Sequence, residues 1–275
     1  MEIHHFNTNS RGYTIYGGFV SPKQVKGVVV LVHGFGEHSG RYFREVVPMF
    51  TDLGFAVLFY DNFGHGKSSG KRGHCPSYGA LLGLLEEMLQ KAADVFPKVP
   101  QFLYGHSMGG NLVLNFAMRK KSRLSGVMAS SPYLRLAFSP PKWKMVLGKA
   151  LLGIWPALTM PSGLDPDGIS RMVEEVEAYK ADPLVHDKVS PMYTFPIMEA
   201  GEWAIKHAAD LRIPTLLIHG TGDPIIDVKG SEEFHGNNPQ STTLKLFENG
   251  FHELHHDLCR NEVLISIQSW LRQQL

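Results

Sequence analysis

The pattern of apolar and polar positions changes twice along the chain. Two short runs, around Ile3 to Phe6 and Tyr13 to Val20, are separated by turn residues and predict strands. The segment GVVVLVHGFG, residues 27–36, is continuously apolar and β-branched until it breaks at glycines. Such a run suits a strand buried on both faces, as in a parallel sheet. Tyr42, Phe43, Val46, Val47, Phe50 and Leu53 then recur at helical spacing, and Gly54 closes that helix. FAVLFY, QFLYGHS and GVMASSP predict strands, with helices at LLGLLEEMLQKAADVF and MGGNLVLNFAMRK between them. Strands alternating with helices indicate βαβ units and a mostly parallel sheet.

From Tyr133 to Ile213 this alternation stops. The stretch holds helical and turn-like pieces rich in Pro, Met and Trp. PTLLIHGTGD and TTLKLFEN then resume the sheet, and a last helix is expected from about His256 to Leu271. The expected organisation is an α/β core of residues 1–132 and 214–275, with residues 133–213 inserted as a cap over the sheet.

Composition narrows the class. The 275 residues are 43% hydrophobic and 19% charged, enough for one large core and too apolar for disorder. With 27 basic and 26 acidic side chains the net charge is +1, which gives no electrostatic footprint for nucleic acid. Cys75 and Cys259 stand alone, so no disulfide framework is expected and a reducing, cytoplasmic setting fits. The opening MEIHHFNTNSRGYTIYGG lacks the basic and apolar regions of a signal peptide. The longest apolar stretch, Met145 to Leu158, is interrupted by Lys149 and Pro156 and is too short to span a bilayer.

The chemistry concentrates at strand ends. Gly105-His106-Ser107-Met108-Gly109 matches G-x-S-x-G where a strand turns into a helix. A serine on that sharp turn needs neighbours two residues away with almost no side chain, and its Oγ is then raised above the carboxyl edge of the sheet. Ser107 is therefore the candidate nucleophile. A serine hydroxyl needs a base and an orienting acid, which in this arrangement come later in the chain. Asp223 lies just beyond the strand TLLIHG, whereas Asp227 suits a helix cap. His252 follows the next strand and its Asn249-Gly250 turn. The expected oxyanion donors are the N–H groups of Met108 and, in the first strand–helix loop, Phe35. His33 is expected to brace that loop by hydrogen bonding.

Three other patterns compete. His252-Glu253-Leu254-His255-His256 fits H-E-x-x-H, a zinc pattern when it lies within a regular helix. Here it straddles a turn, so no metal and no cofactor are expected. His255 is expected near the site's rim and His256 in solvent. GFGEHSG is one residue off a dinucleotide loop, and GHGKSSG carries Asp61 where a phosphate loop needs its first glycine.

Taken together, HGFGEHSGRY, DNFGHGKSSG, GHSMGG, YKADPL, IPTLLIHGTGD and TLKLFENGFHELHHDL resemble the monoacylglycerol lipase and lysophospholipase branch of the capped α/β-hydrolases. The pieces occur in that family's order over nearly the whole chain. The resemblance implies a triad of Ser107, Asp223 and His252, with oxyanion donors at Phe35 and Met108. It also implies a glycerol head-group site involving Glu37, Arg41, Tyr179 and His255. The sequence departs from the family at Asn249-Gly250, before the histidine.

In the cap, Leu151, Ile154, Trp155 and Leu158 belong to a run that is apolar on more than one face, with Lys142, Lys144 and Lys149 among it. They are expected to line an acyl pocket, while the rim touches a lipid surface; simple packing onto the sheet is the alternative. The expected activity is hydrolysis of single-chain lipid esters, monoacylglycerol first. Lysophospholipase, short- or medium-chain carboxylesterase and a non-catalytic binding protein are the alternatives.

Overall fold

The computed structural model describes residues 2–275; Met1, the first residue of the expected core, lies outside them. The chain opens with strands β1 (Ile3–Ser10), β2 (Tyr13–Val20) and β3 (Gly27–Val32), followed by helix α1 (Val46–Asp52) and β4 (Phe55–Tyr60). Next come α2 (Tyr78–Val95), β5 (Gln101–His106), α3 (Met108–Arg119) and β6 (Leu124–Ser130). Between β6 and the next strand of the main sheet come α4 (Lys142–Ile154), β7 (Met160–Pro161), α5 (Val173–Ala181), β8 (Lys188–Val189) and α6 (Pro191–Lys206). The chain finishes with β9 (Thr215–Gly220), α7 (Val228–Asn237), β10 (Thr242–Phe247) and α8 (Arg260–Arg272).

Eight strands form one sheet in the order β1-β2-β4-β3-β5-β6-β9-β10. The β1–β2 hairpin joins β4 antiparallel, and from β4 onward all neighbours are parallel. The continuous apolar runs have the burial they imply, since every residue of β3, β4 and β9 is buried. Successive residues of β3 serve opposite faces. Val28, Val30 and Val32 join the cluster under α2 and α3, while Val29 and Leu31 join the one under α1 and α8. The mostly parallel sheet between helical layers is the α/β-hydrolase architecture expected from the sequence.

Local differences have local causes. The expected helix from Tyr42 to Leu53 is split: residues 39–43 form a 3₁₀ turn before α1. Ser39 is held back by Asp61, whose Oδ1 accepts from Ser39 N at 2.9 Å and Oγ at 2.7 Å. Asp61 Oδ2 also accepts from Lys67 N at 2.8 Å, so both glycine-rich loops are tied to one carboxylate. The last helix starts at Arg260 rather than near His256, because residues 254–256 form a 3₁₀ turn. Within residues 133–213, α6 sends Tyr193, Ile197, Ala204 and Ile205 into the same buried cluster as α2 and α3. Among the described residues no helix is long and apolar enough to cross a membrane.

Candidate active site

The turn between β5 and α3 places Ser107 at φ +53° and ψ −114°, a conformation outside the favoured regions for an L-residue. Its surroundings require glycine on both sides. A Cβ on Gly105 would lie 2.3 Å from Gly109 O, and one on Gly109 would lie 2.0 Å from Val32 O. The turn is locked by backbone bonds: Ser107 N donates to Ser130 O, and Ser107 O accepts from Asn111 N and Tyr133 N. The hydroxyl thus opens into a cavity at the C-terminal edge of the sheet, the edge where open α/β sheets bind ligands.

Asp223 and His252 meet over that edge from the ends of β9 and β10. His252 Nδ1 donates to Asp223 Oδ2 at 2.7 Å. The proton on Nδ1 leaves Nε2 with its lone pair free to act as a base. Asp223 Oδ1 accepts from the N–H groups of Ile225 at 2.9 Å and Ile226 at 3.0 Å. A second imidazole completes the shell: His219 Nε2 donates to Asp223 Oδ2 at 3.2 Å while its Nδ1 accepts from Ser231 Oγ at 2.8 Å. Burial opposes ionisation of Asp223, but the charge of His252 and these donors hold its pKa far below the carboxylate range. Burial likewise opposes protonation of His252, and the Asp223 carboxylate outweighs it, so this imidazole sits above its ordinary value. Ser107 and His252 line the same cavity. Among the described residues no hydrogen bond joins the two side chains, a joint that tightens when substrate fills such sites. Asp227, the competing acid, caps α7 instead by accepting from Lys229 N at 3.0 Å.

The N–H groups of Met108 and Phe35 donate to no other protein group among the described residues. Met108 opens α3, where N–H groups are orphaned and the helix dipole favours negative charge. The Phe35 ring is wedged against His65, His186 and Tyr193, with centroids 5.2, 5.8 and 5.2 Å away. His33 braces the loop as expected, donating from Nδ1 to Gly34 O at 2.7 Å and accepting Asn62 N at Nε2 at 2.9 Å. Glu37 fixes it from below: its Oε1 accepts from Gly34 N and from the Tyr42 hydroxyl, each at 2.6 Å.

The polar end is built differently from the family-based expectation. Glu37 and Tyr179 line the cavity, but Arg41 and His255 lie behind its wall. Arg41 is clamped between Glu37 and Glu253, with its guanidinium 4.6 Å from the centroid of the Tyr179 ring. His255 is fully buried, stacked on Tyr42 at 4.9 Å. His256, expected in solvent, is also buried and donates from Nδ1 to Glu253 Oε2 at 2.9 Å. The reason is the tight turn after His252, which folds both histidines under the site instead of onto the face of a helix. Glu253, His255 and His256 place ligand atoms within 4.8 Å of one another. The same Glu253 carboxylate already accepts two bonds from Arg41, whose fixed positive charge opposes a cation there. The residues present do not fit a zinc site.

The cavity has a volume of about 600 Å³, within the range of small-molecule sites. One wall is formed by Phe138, Trp143, Met145, Leu147 and Gly148, with Phe195 and Met198 from α6. Leu151, Ile154, Trp155 and Leu158 do not reach it. The first turns of α4 cover the opening, and its last turn projects outward, leaving Ile154 83% exposed. Helical spacing in α4 could have separated these two sets only if the anchor were known. That anchor is Gly148, against which the Phe195 ring packs. His219 and the Glu253–Arg41 pair carried no sequence signal of their own, since each depends on contacts between distant segments.

Comparison with known proteins agrees with this geometry. A model of the family described as serine aminopeptidase, S33, matches residues 23–258. The chain is 31% identical over 263 residues to a monoacylglycerol lipase of Mycolicibacterium smegmatis, covering 95% of this chain and 93% of that one. It is 36% identical over 250 residues to an abhydrolase domain-containing protein of Dictyostelium discoideum, covering 90% of this chain but only 26% of that protein's length. Among solved structures, the Paleococcus ferrophilus monoacylglycerol lipase superposes with a TM-score of 0.86 at 33% identity, with 100% of both chains covered. A strained serine at a strand–helix turn, facing an Asp–His pair within such a family match, means that the chain belongs to the serine aminopeptidase S33 family of α/β-hydrolases and is a serine hydrolase.

Proposed function

We propose that the protein hydrolyses single-chain lipid esters, monoacylglycerols foremost, through an acyl-Ser107 intermediate. The observation that carries this reading is the apolar cavity of about 600 Å³ opening directly over Ser107 and His252. In the reaction Ser107 Oγ attacks the ester carbonyl and its proton passes to His252 Nε2. Asp223 keeps the ring in the Nδ1–H form and stabilises the imidazolium. The N–H groups of Phe35 and Met108 receive the developing oxyanion. Collapse expels the glycerol oxygen, which takes the proton from His252. Water then attacks the acyl-serine with His252 again as base, releasing the fatty acid and restoring Ser107.

Residues 133–213 act in this reading as a cap over a core of residues 1–132 and 214–275. Each buried CH₂ of an acyl chain contributes about 0.8 kcal/mol, so an apolar cap favours long chains over acetyl esters. The aminopeptidase chemistry in the family's description would need a peptide in this cavity, and the apolar wall of α4 fits an alkyl chain better. Val146 and Ile154 on α4 and Trp155 just after it are exposed among lysines, and Trp143 at the rim of the cavity is 64% exposed, which supports contact of the cap with a lipid surface. Both cysteines are free, in keeping with a reducing compartment on the cytoplasmic side.

The test is hydrolysis of a monoacylglycerol panel beside butyrate esters, with fluorophosphonate labelling of the wild type and Ser107→Ala. Chain-length-dependent turnover and labelling that requires Ser107 are expected. Labelling without turnover of any glycerol ester would discard the lipase reading.

A further inference from the structure

One oxygen of Asp223 serves two imidazoles. His252 Nδ1 lies 2.7 Å from Oδ2, and His219 Nε2 lies 3.2 Å from the same atom. The other oxygen, Oδ1, is taken by the N–H groups of Ile225 and Ile226. The His219 ring, within β9, is fully buried, and its neighbours set where its proton sits. Nε2 faces two acceptors, Asp223 Oδ2 and Ile226 O, each at 3.2 Å, so Nε2 carries the proton. Nδ1 is then an acceptor and takes the hydroxyl of Ser231, from α7, at 2.8 Å. Ile226, which lines the cavity, closes a ring: its N–H binds Asp223 and its carbonyl binds His219. Orienting His252 needs only one carboxylate oxygen and one N–H. The second imidazole therefore has a further consequence. A donor on a carboxylate stabilises its charge and weakens its hold on the other donors.

We propose that His219 is a positioning residue that shares Asp223 with His252, so that the carboxylate keeps His252 in its Nδ1–H form without trapping it as an imidazolium. The inference rests on Ser107, His252 and Asp223 acting together as described above, and it is independent of the lipid substrate. A base works only while its neutral form is populated near the working pH. Without the His219 N–H, the charge of Asp223 would fall on His252 alone and hold its proton more strongly. The other groups facing His252 are Glu253 from the turn after it, Glu37 from the loop after β3, and His106 at the end of β5, whose ring centroid is 4.8 Å away. Arg41 holds Glu37 and Glu253 below the ordinary carboxylate value, and burial pushes His106 down to about 4. These three keep one charge state above about pH 5, so a change in His252 there belongs to the Asp223 side.

The rate at which a fluorophosphonate labels Ser107 reads this step without a choice of ester. Ser107 Oγ bonds to phosphorus, fluoride leaves with the P–F electron pair, and His252 takes the serine proton. Labelling is followed from about pH 5 to pH 9 in wild type, His219→Leu, His219→Gln and Ser231→Ala, each checked for folding by circular dichroism. His219→Leu removes the donor and should move the acidic limb up by about one pH unit, so that labelling on that limb slows about tenfold. His219→Gln returns an N–H to Asp223 and should restore the wild-type limb. Ser231→Ala, which frees the His219 proton to leave Nε2, should move the limb the same way by a smaller amount. A histidine that only packs β9 against α7 would instead lower labelling in parallel at every pH. An unmoved limb in His219→Leu, or the same limb in the Leu and Gln variants, would overturn the inference. If His219→Leu does not fold, Ser231→Ala decides, and a limb at the wild-type position overturns it. Labelling that survives Ser107→Ala, or fails in wild type, would overturn the triad itself and the inference with it.

Discussion

The floor and the roof of the cavity are held by different forces. On the floor, Ser107, Asp223, His252, Glu37 and Glu253 are all buried, and the four ionisable side chains among them have defined hydrogen-bond partners. Residues 171–186 belong with that floor. Arg171 pairs with Asp257 at 2.9 Å, His38 with Asp182 at 2.8 Å, and Arg44 with Glu175. His186 N also donates to Gly36 O at 2.8 Å, joining this segment to the oxyanion loop. The roof, α4, has one buried residue, Gly148, and leaves Val146 71% and Trp143 64% exposed. Proton transfer needs groups fixed to a fraction of an ångström, which directional bonds supply. Admitting an acyl chain needs a surface that yields, which a helix with few polar ties supplies.

If that division is right, changes to the floor should act on kcat or on folding, and changes to the roof on chain-length preference. Ser107→Ala should lower kcat by about 10⁶-fold on every ester, measured by steady-state hydrolysis, because without the nucleophile no acyl intermediate forms. Asp223→Asn should cost about 10⁴-fold in kcat while leaving KM nearly unchanged, since it loses the Nδ1–H form of His252 and not the cavity. Arg41→Met should destabilise the fold by about 3–5 kcal/mol in denaturant melts, because Glu37 and Glu253 lose their shared cation.

The pH dependence follows from the same groups. The kcat/KM profile should have its acidic limb above the ordinary imidazole value of 6.5, because Asp223 raises His252 and only the neutral ring acts as base. Stability from Glu37 and Glu253 runs the other way. Their folded pKa values lie below 4.5, so their contribution is complete above that value and is lost as pH falls through the lowered range. Acid titration of the melting midpoint checks this. A midpoint insensitive to Arg41→Met above pH 5 would show that the floor is not held by this pair. The smallest effect belongs to the roof. Leu147→Ala removes apolar surface from the cavity wall and should raise KM for long-chain esters several-fold, with acetyl and butyrate esters little changed. An equal effect on all chain lengths would erase the distinction between floor and roof.

The sequence by itself determined the alternating α/β order and the buried parallel strands, because a run such as GVVVLV has one low-energy use, a strand covered on both faces. It also located a strained serine turn, since the glycines flanking Ser107 answer to a local steric need visible in five residues. The tertiary structure alone decided which side chains reach the cavity. The anchoring of α4 on Phe195 set Met145 and Leu147 on the cavity wall and left Ile154 outside it. The turn after His252 buried His255 and His256 and brought Glu253 to an arginine 212 residues away. Periodicity and backbone sterics are local and leave their mark in consecutive residues. An ion pair between distant segments is set by how the layers pack, and no short stretch of sequence encodes it.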